Sequence, residues 1–475
     1  MKTEYEVVIG LETHVQLKTQ TKLFSSCPAQ GDGGPNTATD PIVLGMPGVL
    51  PTLNEAVVEG AVRVGLALSC SIQRRSAFAR KHYFYPDLPK GYQITQDEHP
   101  ICRDGLLTID GRDVRVERIH LEEDAGKTIH DPGRGESRVD YNRAGTPLIE
   151  IVTRPDLRSP EEAVSYLKHL HEIVVFLGVS DGDMEEGNFR FDANVSLRPK
   201  GATELGTKTE LKNMNSFRYV QRALEAEIER HAEILSAGGE ILQETRTWNE
   251  EKSRTEGMRS KESAPDYRYM PEPDLSDLII DEDWLDSIVE SQPELPEAKR
   301  QRFQSELGLS AYDAEVFTGS PDVASYFEDV MGATKAGASR VASWVGSELL
   351  GLLARNGHSL QTSPITPAHM SELLDLIEAG TVSGKMGKEV LEKVLQGEGA
   401  PGELVSTMGA QLSNPDELRI LVLQVLERCP EQVNMYKQGK TKVIGYLMGQ
   451  VMKESRGKAN PGVTTQLLQE ELQKS

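Results

Sequence analysis

The chain has 475 residues, with 52 Lys and Arg against 74 Asp and Glu, so its net charge of −22 repels polyanions over the surface as a whole. That excludes a protein binding nucleic acid or anionic membrane through its entire surface and leaves room only for a local basic patch. No apolar run is long enough to cross a bilayer, and the N-terminus lacks the positive-then-apolar pattern of a signal peptide. Four scattered cysteines, Cys27, Cys70, Cys102 and Cys429, form no Cys-x-x-Cys pair and read as reduced thiols of a soluble cytoplasmic protein or its organellar equivalent. At about 150 residues per domain the length predicts about three domains.

The first element is a strand from Val7 to Leu17. Alternation puts Val7, Ile9, Leu11, Val15 and Leu17 on an apolar face and Glu12, His14 and Gln16 on the other. A carboxylate beside an imidazole is half a metal site; a wetted sheet face is the bland alternative. Further on, Arg80 to Gln93 interleaves cations with aromatic rings, a pattern that stacks a base and holds a phosphate, or else a proline-kinked loop covering the core. His120-Leu121-Glu122-Glu123-Asp124-Ala125-Gly126 sets three carboxylates beside a glycine turn. Alternation leaves open whether Glu122 or Glu123 shares the side of Glu12, because the apolar pattern slips between Val116 and Ile119. In Leu148-Ile149-Glu150-Ile151-Val152 one carboxylate interrupts an apolar strand, where burial is costly unless it is paired or metal-bound.

The strand Asn188 to Arg198 carries a wholly polar face of Arg190, Asp192, Asn194, Ser196 and Arg198, and Lys208, Glu210 and Lys212 share a face soon after. Short hydrogen-bonding groups flanked by guanidinium groups suit phosphate or carboxylate. Beyond Ser291-Gln292-Pro293-Glu294-Leu295-Pro296 the pattern turns helical, with capped starts at Ser320-Pro321, Thr366-Pro367 and Asn414-Pro415. The linker from Gln396 to Gly402 precedes a tail in which Lys437, Lys440, Lys442, Lys453, Arg456 and Lys458 face one acid, Glu454, between residues 434 and 458. In so acidic a chain that reversal points to a polyanion contact.

Carboxylates with one imidazole and no thiols favour a hard cation, magnesium above zinc. Gly126-Lys127-Thr128 and Gly439-Lys440-Thr441 both lack the earlier glycine of a phosphate-binding loop. ATP, if used, must therefore sit on a sheet face anchored through the metal.

Several motifs together resemble the GatB family, whose members belong to the tRNA-dependent aspartyl/glutamyl amidotransferase. They are Val8 to Leu17, Arg80 to Asp87, Leu121 to Lys127, Asn142 to Glu150, Asp266 to Asp274 and Gly445 to Lys453. The resemblance implies an α+β fold. A glutamine-synthetase-like cradle with an antiparallel sheet would span residues 1–292, an all-α domain 293–400, and an α-helical YqeY-like tail gripping tRNA 401–475. It also implies a reaction: ATP phosphorylates the side-chain carboxylate of mischarged Glu-tRNA(Gln) or Asp-tRNA(Asn). Ammonia tunnelled from the amidase GatA then displaces phosphate, while GatC straps GatA and GatB together. Carried onto this chain, the magnesium ligands are Glu12, His14, Glu123 and Glu150. Lys81, Tyr83 and Lys212 would hold ATP or phosphate, and Arg190, Asp192, Asn194, Ser196, Lys208 and Glu210 would line the reaction pocket. The six basic tail residues would bind tRNA. Some members of the family carry a four-cysteine zinc knuckle after the first strand. Here only Cys27 is present, so no zinc is expected. The competing reading is a non-catalytic tRNA-docking scaffold of the same complex, which would need no clustered carboxylates.

Overall fold

The first strand forms as its alternation requires: β1, Tyr5–Gln16, buries Ile9, Leu11, Thr13 and Val15 on one face. The computed structural model describes residues 5–31, 33–131, 133, 135–258, 267–408, 412, 414–455 and 458–474; Arg456 lies outside them. β1 is the centre of a nine-stranded sheet. The other strands are β2 Ser71–Ile72, β3 Cys102–Ile109, β4 Arg112–Glu123, β5 Pro147–Thr153, β6 Phe189–Pro199, β7 Thr209–Lys212, β8 Glu244–Asn249 and β9 Arg254–Gly257, in the spatial order β9-β8-β7-β6-β1-β5-β4-β3-β2. Every pairing is antiparallel except β7 with β8.

Helices α1 Glu55–Ala67, α2 Pro160–Phe176 and α3 Phe217–Ser236 share one core with the apolar sheet face, where Ile119, Leu121, Ile149, Ile151, Phe191 and Val195 meet Val58, Leu167 and Leu224. Burial of this kind supplies roughly 25 cal/mol per Å² of apolar surface and fixes which face of every strand is left polar. Asn54, Ser159 and Ser216 cap the three helices through their side chains. At the sheet edge, fully buried Glu227 of α3 accepts a hydrogen bond from Thr255 of β9 and pairs with Arg230, His231 and Arg246.

One irregularity decides the site. β4 and β5 pair in register from Pro147–Glu123 to Val152–Arg118, but Thr153 then faces Val116. Glu117 is thus the extra residue of a β-bulge, which explains the slip in the apolar pattern. After the bulge Ile119 and Leu121 point into the core, so His120 and Glu122 point away from it.

The chain divides into two units, the first ending at Pro296 and the second beginning at Glu297. The second is helical. Ser320, Thr366 and Asn414 cap helices Pro321–Ala333, Pro367–Glu378 and Pro415–Arg428 as their sequences require. It holds two apolar clusters, one between Phe303 and Val405 that includes Met370, Leu373 and Leu374, the other between Leu418 and Leu472. Among the described residues no helix is long and apolar enough to cross a membrane.

Candidate functional site

The polar face of the sheet is built row by row from strand register. His14 on β1 lies between Arg190 on β6 and Glu150 on β5, and Glu150 in turn lies beside His120 on β4. Glu122 follows His120 on the same face. His14 Nε2 is 3.5 Å from Glu122 and 3.4 Å from Glu150, and His120 Nε2 is 3.8 Å and 3.2 Å from the same two carboxylates. His14, Glu122 and Glu150 offer ligand atoms that all lie within 4.8 Å of one another.

Both carboxylates are buried, which alone would favour their neutral forms. The imidazoles reverse this. Burial opposes the charge of Glu150, yet His120 and His14 hold it well below the usual carboxylate range, and His120 likewise lowers Glu122. Burial also disfavours charge on His14 and His120, but Glu150 and Glu122 raise both, His120 to about 9. Positive charge is what this cluster demands. Two carboxylate oxygens and an imidazole nitrogen are also a fitting donor set for a divalent cation, with magnesium completing its shell from water or phosphate in the cleft.

Glu12 lies one step along the same face. It accepts a hydrogen bond from Asn194 at 3.0 Å, and burial, together with Glu150, Glu210 and Asp192, raises its pKa. It is outside the compact triad. Glu123, the ligand implied by the family resemblance, points to the other side of β4. There Lys90 pairs with its carboxylate and the Ile94 amide donates to it at 3.0 Å. The structure therefore replaces Glu123 by Glu122, because the bulge at Glu117 sets the phase of everything after it. Sequence reasoning assigns no role to His120 or to Asp124. His120 carries a signal all the same, since it shares its parity with Glu122.

An open cleft of about 360 Å³ adjoins the triad. Its lining includes Lys81 and Tyr83, Arg190 and Asp192 of β6, and Lys212 of β7. Arg190 bonds Asp124 at 2.7 Å, and Lys212 bridges Asp192 at 2.8 Å and Glu210 at 3.0 Å. Burial opposes the charge on Lys81, but Glu122 raises its pKa and keeps it a cation. Lys81 also stands 4.8 Å from the centre of the Tyr267 ring. Asn194, Ser196 and Lys208 do not line this cleft; with Glu12 they line a second cavity of about 260 Å³. The residues expected from the sequence are thus gathered on one face but shared between two cavities.

Near Cys27 a lysine ties the loops together. Lys22 is fully buried and donates at 2.6 Å to the carbonyls of Ala38 and Ala144, while Cys27 packs with Ala38, Val43 and Ala144. In the tail, Lys437, Lys440, Lys442, Lys453 and Lys458 are exposed, and Lys458 bonds the Met408 carbonyl at 2.8 Å.

The chain matches the GatB/GatE catalytic domain over residues 7–286 and the GatB domain over residues 325–472. Fold and site thus define a catalytic sheet domain of the GatB/GatE type followed by a helical GatB region. A protein of Geobacter sulfurreducens is 51% identical over 98% of this chain and 99% of its own length. One from Geotalea daltonii is 51% identical over 99% and 100%, and one from Nitrosococcus oceani 49% over 99% and 100%. All three carry the name of the GatB component of an aspartyl/glutamyl-tRNA(Asn/Gln) amidotransferase. The chain belongs to the GatB family.

Proposed function

We propose that the chain is the catalytic GatB component of a glutamine-hydrolysing aspartyl/glutamyl-tRNA amidotransferase, a carbon–nitrogen ligase working in the cytoplasm with GatA and GatC. The observation that carries this reading is the His14–Glu122–Glu150 triad beside a cleft lined by Lys81, Arg190 and Lys212. A side-chain carboxylate of Glu-tRNA(Gln) or Asp-tRNA(Asn) attacks the γ-phosphorus of ATP, and the β–γ bond breaks to release ADP. Ammonia then attacks the acyl carbon, phosphate leaves, and a proton is lost as the amide forms.

His14, Glu122 and Glu150 would hold magnesium, with Glu12 close by; when bound, the ion neutralises phosphate charge during transfer. Lys81, Arg190 and Lys212 bind and orient the anions from the protein side. Tyr83, over the cleft, narrows access for water, which would otherwise hydrolyse the acyl phosphate. Asp192 and Glu210 hold Lys212 in place. The exposed tail lysines, with Arg456, supply the local positive charge that tRNA needs. The loops around Cys27, joined through Lys22, are proposed to need no zinc.

Three tests follow from this reading. Reconstituted with GatA and GatC, the Glu150→Ala chain should assemble normally yet lose ATP-dependent conversion of Glu-tRNA(Gln), by about a hundredfold or more; normal turnover would promote the scaffold reading. Neutralising Lys440, Lys442 and Lys453 together should weaken tRNA binding and lower its salt slope by about 3. An unchanged slope would move the tRNA contact elsewhere. Metal analysis of the purified protein should find no stoichiometric zinc, and a one-to-one zinc content would refute that part of the proposal.

A further inference from the structure

The second cavity exists because β1 carries a glycine in its interior. Gly10 is buried on the polar face between Val8 and Glu12, and a glycine inside a strand often marks the close approach of a ligand or another backbone. Neither backbone nor packing demands it. Gly10 is not among the residues with positive φ, and a Cβ there would meet Pro155 Cα at 3.7 Å and the Thr153 carbonyl at 3.9 Å, both ordinary contacts. What the missing side chain provides is space.

The cavity, about 260 Å³, has Gly10 as its floor and Val8, Val152, Pro155 and Leu205 among its walls. Clefts that take a whole drug-sized ligand measure about 300–1,000 Å³, so this one holds a fragment. The bulge of β4 is felt on β5 here: the register shift falls between Val152 and Thr153, and Thr153 Oγ1 accepts from the Leu11 amide at 2.9 Å. Polar groups occur at the edge only. Asn194 and buried Ser196 can pair with ring nitrogens, and Lys208, exposed in the loop before β7, can meet a phosphate. Glu12 lines this cavity too and interacts electrostatically with Glu150 and Asp192 of the neighbouring site. A flat ring seated over Gly10 would therefore send its polar substituents past Glu12 toward the triad.

We propose that this second cavity receives an adenine ring. The inference rests on the amidotransferase reading, which supplies adenine from two sources: the base of ATP, and the 3′-terminal adenosine of the aminoacyl-tRNA. Apolar walls take the ring faces, and the polar edge distinguishes adenine from a plain hydrocarbon.

The test uses the reconstituted heterotrimer carrying Gly10→Val, which fills the floor, or Leu205→Ala, which removes an exposed wall residue. KM for ATP and for Glu-tRNA(Gln) are measured separately, ADP binding is followed by equilibrium dialysis, and melting temperature and co-purification with GatA and GatC report folding. Gly10→Val should raise one KM by about tenfold or more, and Leu205→Ala should raise the same one less. A rise for ATP, with weakened ADP binding, assigns the cavity to the nucleotide; a rise for tRNA with ADP binding intact assigns it to the terminal adenosine. If Gly10→Val fails to assemble, Leu205→Ala decides alone. Unchanged KM values in an assembled variant overturn the adenine site. A wild-type complex that forms no ADP with Glu-tRNA(Gln) instead overturns the amidotransferase reading.

Discussion

Two carboxylates buried side by side on one face of a sheet need positive charge, and most of this unit is arranged around supplying it. Glu122 and Glu150 sit on neighbouring strands with less than a tenth of their surface exposed. Left alone, such a pair would keep a proton, as like charges in a poorly solvated place do. The fold instead sets two imidazoles against them, His14 from β1 and His120 from β4, each within 4 Å of both acids. Protonated imidazoles can stabilise the pair, and a divalent cation bound by His14, Glu122 and Glu150 does so with more charge and freer coordination. The sheet makes this possible because four adjacent strands hold register across the site, so the ligands do not depend on flexible loops.

The same register spreads charge outward in order. Beyond the acids come Arg190, anchored by Asp124, and Lys212, held between Asp192 and Glu210. Each cation is steadied by an acid, a pattern that orients donors before an anion arrives. The apolar second cavity lies across Glu12 from this charged region. A polar cleft and a small apolar one, joined along a single strand, are the physical shape expected of a site that grips a phosphate chain and a base separately.

Much of this was legible in the sequence. The alternation of β1 and β6 puts Glu12, His14, Arg190, Asp192 and Asn194 on the polar face from the residues alone, and Glu150 stands out because nothing else in its strand is charged. The capped helix starts at Ser320, Thr366 and Asn414 are equally plain, since Pro at the first helical position needs no amide partner. Glu122 is harder. A single inserted residue, Glu117, shifts the parity of all that follows, and family resemblance chooses its neighbour Glu123, which the fold turns toward Lys90. Counting onward from Ile119 and Leu121 would have sufficed, because an Ile-x-Leu pair is a stronger phase marker than a distant motif. The division into two cavities could not be read, since it depends on what packs over Gly10 from residues 155 and 205. Nor could the buried lysine at position 22, whose two carbonyl partners come from distant loops.

Which of two adjacent glutamates faces the metal decides the site. Binding of Mn²⁺ as a spectroscopic stand-in for magnesium, followed by electron paramagnetic resonance on Glu122→Gln and Glu123→Gln proteins with matched melting temperatures, separates them directly. Glu122→Gln should weaken Mn²⁺ binding by about a hundredfold, while Glu123→Gln should leave it within a few-fold of the unsubstituted protein. The reverse result, with binding lost at Glu123 and kept at Glu122, would contradict the site described here.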